Sequence, residues 1–297
     1  MALADFTTLV SGMSFTECPR WRDGRLYFSD LYTNRVLAVG MDGSLETLAR
    51  VAGQPAGLGF MPDGSLLMVS QRERKTWRRG IDGSITLHAD LNSLAPWHLN
   101  DLIVDKNGLA LVGNFGFDLM GGEPACTTVL TAVEPDGSAR VVADGLGFPN
   151  GMVITPDGGT LIVAETTMSR LSAFDVTGGS LGERRTWAAF GDEPTSTNAA
   201  EIIATATLVP DGICLDAEGA VWVADTIHHR LVRVAEGGKI LEEIETGVAV
   251  FACMLGGEDG RTLFACLAPS YIASEASANH RASVVMTRVK VPHGGLP

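Results

Sequence analysis

The chain repeats one pattern six times, and this repeat limits its possible folds more than any other property. Each copy is a short apolar run, a turn built on Asp-Gly or a close variant, and a second apolar run. The copies cover residues 17–30, 56–71, 100–114, 150–165, 211–225 and 252–266. Strand-length apolar runs flanking a turn glycine read as β-hairpins, here turning at Gly24, Gly64, Gly108, Gly158, Gly219 and Gly260. Weaker turns lie between them at Asp42-Gly43, Asp82-Gly83, Asp136-Gly137, Gly178-Gly179 and Gly237-Gly238. Asp23 to Asp42, Asp63 to Asp82 and Glu218 to Gly237 are each 19 residues, so the unit is two hairpins, or four strands.

Six such units in 297 residues average about 50 residues each, which predicts an all-β, six-bladed β-propeller with four antiparallel strands per blade. Residues 1–297 read as one propeller domain. The sixth unit has a third strand near 283–291, and then the chain ends. Its fourth strand is expected from residues 6–10, which precede Ser11-Gly12 much as 48–51 precede Ala52-Gly53. That strand would close the ring and cover an open edge. By the same connectivity the long irregular stretches 115–126, 193–208 and 268–282 fall on one end of the ring, where binding loops gather.

Composition narrows the partners. Twenty-two Lys and Arg against 35 Asp and Glu leave a formal charge of −13, which repels phosphate backbones and anionic bilayers. Nucleic acid and membrane surfaces are therefore not expected partners. No basic, apolar leader and no bilayer-length apolar run occurs, so the chain reads as soluble and cytoplasmic. The five cysteines form no CxxC and read as reduced, buried, small apolar residues. In a regular hairpin Cys253 and Cys266 would face each other across Asp259-Gly260.

In a propeller the first residues of the innermost strands converge on the axis. Seven positions before the residue that precedes the turn glycine, blades two to six offer Ala56, Asn100, Asn150, Asp211 and Ala252. Blade one offers Glu17 at a spacing of six. Two carboxylates and two amides aimed at one axis repel and are poorly solvated unless a cation sits among them. An oxygen-only set suits Ca²⁺ or Mg²⁺. The competing reading is that Asn-Gly and Asp-Gly pairs are ordinary turn chemistry. No HExxH, GxSxG, P-loop or dinucleotide fingerprint is present, which disfavours a His/Cys zinc site and the other common catalytic classes.

Glu17-Cys-Pro-x-Trp21, His98-Leu-Asn100-Asp101, Phe148-Pro-Asn150-Gly151 and Pro210-Asp211-Gly212 together resemble the metal-site motifs of the senescence marker protein/gluconolactonase/luciferin-regenerating family. The resemblance covers nearly the whole chain. It implies one divalent metal held by Glu17, Asn150 and Asp211, with Asn100 alongside, and a metal-dependent lactonase as the activity. Ca²⁺ is the expected ion, with Mg²⁺, Mn²⁺, Zn²⁺ or Fe²⁺ as alternatives. The sequence departs from sugar-lactone members at His98, where many of them carry Arg, and an imidazole cannot fork onto sugar hydroxyls as a guanidinium does. Trp97 and the loop 114–120 add a greasier wall, and the insertion 193–208 looks longer than in relatives.

For a lactone or ester substrate, Asp211 is the first candidate for the carboxylate that activates water and Asp101 the second, although strand alternation can turn Asp101 away from the channel. His98, Asn100 and Asp118 are candidate substrate contacts. Two other readings stay open: an esterase or phosphotriesterase on the same site, and a non-catalytic propeller stabilised by its metal.

Overall fold

The computed structural model describes residues 5–296. Six antiparallel sheets follow one another in chain order, each with four strands that are consecutive in sequence in blades one to five, blade four adding the two-residue strand Ser180–Leu181 in its outer hairpin. The innermost strands are Thr16–Arg22, Pro55–Phe60, Leu99–Val104, Pro149–Ile154, Pro210–Leu215 and Val250–Gly256. Each touches the inner strand of the next blade, and the sixth touches the first, so the ring closes. The six-bladed propeller expected from the repeat is the fold.

Closure uses both ends of the chain. Thr7–Met13 pairs antiparallel with Ala282–Arg288 and forms the outermost strand of blade six. The N-terminal strand thus does what the repeat required, running three residues beyond the expected stretch. At the opposite end of the ring from the long loops, residues 292–296 cross from blade six toward blade four. Gly294 N–H donates to Leu215 O at 2.9 Å, and Leu296 and Ile154 exchange backbone hydrogen bonds of 2.9 and 3.0 Å. The tail runs so close that a Cβ on Gly295, at φ +73°, would stand 2.3 Å from Ile154 O.

The core lies between blades. Inner and second strands are packed on both faces, so they read as nearly continuous apolar runs; all seven residues of Val250–Gly256 are buried. Separate apolar clusters fill the gaps between neighbouring blades, for instance Leu102, Val112 and Leu67 between blades two and three. Three buried ion pairs tie the loop end of the blades together. Asp30, Glu165 and Asp225 end second strands, and each pairs with the Arg five residues on, Arg35, Arg170 and Arg230, at 2.8–2.9 Å. Each also accepts a backbone N–H from the segment leading into its own inner strand: Phe15, Gly147 and Val209 at 3.1, 2.7 and 3.0 Å. The acid thereby fixes where that inner strand begins.

The cysteine expectations need correcting at two points. Cys126 is exposed; the other four are buried, and all five are free thiols. A register break between Val250 and Ala252 pairs Cys253 with Ala265 and Cys266 with Ala252, so the two thiols do not face each other. Cys253 Sγ lies 3.7 Å from Cys214 Sγ of blade five instead. Among the described residues no helix is long and apolar enough to cross a membrane.

Candidate active site

Every inner strand breaks register just after it starts. Such a bulge kinks the strand and re-aims a side chain. In each blade the first inner-strand residue pairs with the last residue of the second strand, and the next residue turns to the axis: Glu17, Ala56, Asn100, Asn150, Asp211 and Phe251. All six line one cavity of about 470 Å³. Blade six presents Phe251 and not Ala252, because its inner hairpin, paired from Val250 with Leu267 to Gly256 with Thr262, runs one position further than that of blade two, paired from Pro55 with Ser70 to Phe60 with Leu66. The short spacing at Glu17 has a similar cause. Blade one turns through two residues between Arg22 and Arg25, whereas blade two places five between Phe60 and Leu66.

The glycines that follow the axial residues are not turn glycines. Gly57, Gly151 and Gly212 lack positive φ, and a Cβ on them would stand 2.4 Å from Leu102 N, 2.5 Å from Ile213 N and 2.5 Å from Ala252 Cβ. They let adjacent inner strands approach. Asn150-Gly151 and Asp211-Gly212 thus belong to the ring and not to a turn.

Glu17, Asn150 and Asp211 meet at the axis, with Asn100 beside them. Burial, then the charge of Asp211, pushes the Glu17 carboxyl well above the ordinary carboxylate range, although Cys18 N–H donates to its Oε2 at 3.0 Å. Burial likewise pushes Asp211 up to about 7 against hydrogen bonds from Thr226 and Asn150, with the charge of Asp101 adding to the rise. Thr226 Oγ1 donates to Asp211 Oδ2 at 3.2 Å, and Asn150 Nδ2 donates to Thr166 Oγ1 at 3.1 Å. Thr166 in turn donates to Pro210 O at 2.9 Å, which fixes the start of the strand carrying Asp211.

Asp101 turns away from the cavity. Arg20 Nη2 holds its Oδ1 at 2.7 Å, both side chains are nearly fully buried, and Arg20 also donates to Leu102 O at 2.7 Å. Arg20 and Asp101 offset each other's charge, which leaves the Glu17 and Asp211 carboxyls at the axis without an ion-pair partner among the described residues. Among the described residues no group of three or more His, Cys, Asp or Glu side chains is arranged to hold a metal. The donors here are two carboxylates and amide oxygens, a set suited in charge and hardness to a divalent, oxygen-liganded ion. Asn100 Nδ2 is buried with no hydrogen-bond partner, the mark of a group that completes its bonding with a ligand or water.

His98 stacks on Trp97 with ring centroids 4.9 Å apart and stands edge-on to Phe115 at 6.3 Å. Burial and then the Arg72 charge hold its imidazole below the ordinary histidine value. Asp118 lines the cavity from the loop of blade three, where its Oδ1 accepts Gly121 N–H at 2.7 Å. All three long loops contribute wall: residues 118–121, Ile203 on the short helix Ala199–Thr205, and Tyr271 with Ala273 at the helix Ala273–Asn279.

A second ring was missed. The residue after each second strand also faces the cavity in blades one to five, as Leu31, Gln71, Phe115, Thr166 and Thr226. The hairpin register that located the first ring would have located this one. Arg72, exposed at the mouth, was missed as well; among the described residues it is the one Lys or Arg on the cavity wall.

A family model described as the SMP-30/gluconolactonase/LRE-like region matches residues 15–268, which carry all of these axial residues. The chain belongs to this family. It is 28% identical to a pentonolactonase of Haloferax volcanii over 70% of the chain, which spans 65% of that relative's length. It is 26% identical to a 6-deoxy-6-sulfogluconolactonase of Pseudomonas putida over 93% of this chain and 91% of that protein. The solved structure of a gluconolactonase from Xanthomonas campestris superposes with a TM-score of 0.73 at 25% identity, over 99% of this chain and 90% of that one.

Proposed function

We propose that the chain is a metal-dependent lactonase in which Glu17, Asn150 and Asp211 hold one divalent cation, Ca²⁺ by the chemistry of the donors. The observation that carries this reading is the meeting of Glu17 and Asp211 at the axis, at the base of an open cavity, with no cationic side chain among the described residues paired to either. The names of the pentonolactonase, sulfogluconolactonase and gluconolactonase relatives support a lactone as substrate. Bound there, the cation supplies a Lewis acid that polarises the ester carbonyl and stabilises the charge developing on its oxygen.

The chain's own residues do the rest. Thr226 fixes the Asp211 carboxylate, which takes a proton from the attacking water; Asp101 is committed to Arg20 and leaves that role to Asp211. The water oxygen bonds to the acyl carbon, the ring C–O bond breaks, and the ring oxygen leaves as a hydroxyl after accepting a proton. Asn100 Nδ2 donates to a substrate oxygen, which satisfies its unpaired N–H. His98, stacked on Trp97, passes a ring proton from its protonated form to the leaving oxygen. Asp118 contacts the substrate from the rim.

Proton release from a panel of lactones, aryl esters and phosphotriesters, before and after chelation, tests the proposal. Lactone hydrolysis should vanish with EDTA and return with Ca²⁺, and Asp211→Ala should lower it by about 10³-fold or more, the upper part of the range for a general base. Full activity without metal would sink the reading. Aryl esters or phosphotriesters outpacing every lactone would assign the site to those substrates, and metal-induced stabilisation with no turnover at all would make it a binding propeller.

A further inference from the structure

The cavity is divided in polarity. Blades one to three bring Gln54, Gln71, Arg72, His98 and Asp118 to its wall. Beside the axial Asn150 and Asp211, the half built by blades four to six and their loops is mostly apolar: Phe148, Ile203, Val209, Ile227, Phe251 and the ring of Tyr271. Apart from the Tyr271 hydroxyl at the rim, the hydroxyls near that half are already committed. Thr166 Oγ1 donates to Pro210 O and Thr226 Oγ1 to Asp211, while the Tyr32 hydroxyl donates to Tyr271 O. A sugar lactone laid against this half would lose water from its hydroxyls and gain no partner for them, at a cost of roughly 1–3 kcal/mol per group.

The apolar half also reaches solvent. Ile227 is 38% exposed and Tyr271 45%, and Met120 on the blade-three loop, 61% exposed, continues the apolar rim around the mouth. The cavity volume, about 470 Å³, falls in the range that encloses a drug-sized molecule and exceeds what a bare five- or six-membered lactone ring fills. Two axial positions, Ala56 and Phe251, offer no ligand atom; Phe251 stands edge-on to Phe15 at 4.6 Å and to Tyr271 at 6.4 Å, which extends an aromatic surface from the axis to the rim.

Taking the lactonase reading as its basis, we propose that the substrate is a lactone whose ring carries a hydrocarbon substituent, with the ring held at the axis and the substituent lying against Phe251, Ile203 and Ile227. The product is then an amphiphilic hydroxy acid: water adds across the acyl C–O bond, and one carboxylate, one hydroxyl and one released proton result.

The test is a series of γ-lactones with side chains of increasing length, set beside polyhydroxylated sugar lactones, in the presence of Ca²⁺. The expected result is a rise in kcat/KM of about fourfold per added methylene until the side chain clears the rim, the ratio that corresponds to burying one CH₂. Ile203→Asn and Ile227→Asn lie at the partly open wall, and each should flatten that slope. A flat or falling series, or sugar lactones as the fastest substrates, would overturn the inference while leaving the lactonase reading intact. The matching γ-lactams, which resist hydrolysis, supply the second arm by calorimetry. Affinity that climbs with chain length, with a negative heat-capacity change, supports the apolar seat even if no compound is turned over; affinity independent of chain length overturns it.

Discussion

Arg20 and Asp101 are 81 positions apart in sequence and form a buried ion pair at 2.7 Å that joins blade one to blade three beneath the cavity. Arg20 also donates to the carbonyls of Pro19 and Leu102, so a single side chain braces two inner strands beside the axial ring. Removing one partner strands a buried charge, which costs about 3–5 kcal/mol. Arg20→Ala and Asp101→Ala should each lower unfolding free energy by that amount in urea titrations. Arg20→Met with Asp101→Leu should lose markedly less, since neither charge is left alone. A loss in the double variant equal to the sum of the two single losses would show that the pair contributes no coupling.

Glu17 and Asp211 raise each other's energy whenever both are ionised, so the metal-free protein is destabilised by the residues that would hold the cation. Glu17→Gln should leave the Tm of the metal-free protein unchanged or higher while abolishing the rise that Ca²⁺ produces. In the unsubstituted protein that rise should correspond to about 2.7 kcal/mol at a Ca²⁺ concentration a hundredfold above Kd. Differential scanning fluorimetry with and without EDTA reads both effects. A metal-free variant well below the metal-free parent would mean that Glu17 is chiefly a structural residue.

The ring of blades was legible because turn glycines and strand alternation repeat with the blade, and repetition survives small errors in any one unit. The axial residues were legible for the same reason, with the exception of Phe251. Its inner hairpin is one paired position longer than that of blade two, which no alternation pattern reveals, so a count back from Asp259 lands on Ala252. Arg20 was hidden between Glu17 and Trp21 because its partner is Asp101, a contact that exists only once blades one and three share an axis. The apolar half of the cavity was hidden likewise: Ile203, Ile227 and Tyr271 come from separate connections, and only the closed ring assembles them.

Asp30 carries a prediction about pH. Burial alone would raise its pKa, but hydrogen bonds from Ser14, Thr33 and Arg35 outweigh burial and hold it below the ordinary value. A folded-state pKa below the unfolded one means that the unfolded chain binds the extra proton first. The stabilisation is therefore present above the unfolded value near pH 3.9 and is lost as pH falls through the folded value. Asp30→Asn should cost about 2–3 kcal/mol at pH 7, where it removes a charge bonded to several donors, and the deficit should narrow below pH 4. Urea titrations at pH 7 and pH 3 give the comparison; a deficit that stays constant would show that the loss comes from the amide's geometry and not from the charge.

Arg72 and His98 both line the polar side of the cavity, and the guanidinium is, after burial, the larger cause that lowers the imidazole pKa. Arg72→Gln should therefore raise the His98 pKa, visible as an upward move of its ring-proton titration by NMR. Burial remains in the variant, so the pKa should still lie below that of a solvent-exposed histidine. If His98 delivers its proton to the leaving oxygen, the alkaline limb of the kcat/KM profile should move upward with the same variant, and His98→Ala should lose about 10²-fold in kcat with the limb removed. A profile that ignores both substitutions, with the NMR shift present, would make His98 a packing residue for Trp97 and reassign the leaving-group proton to another donor.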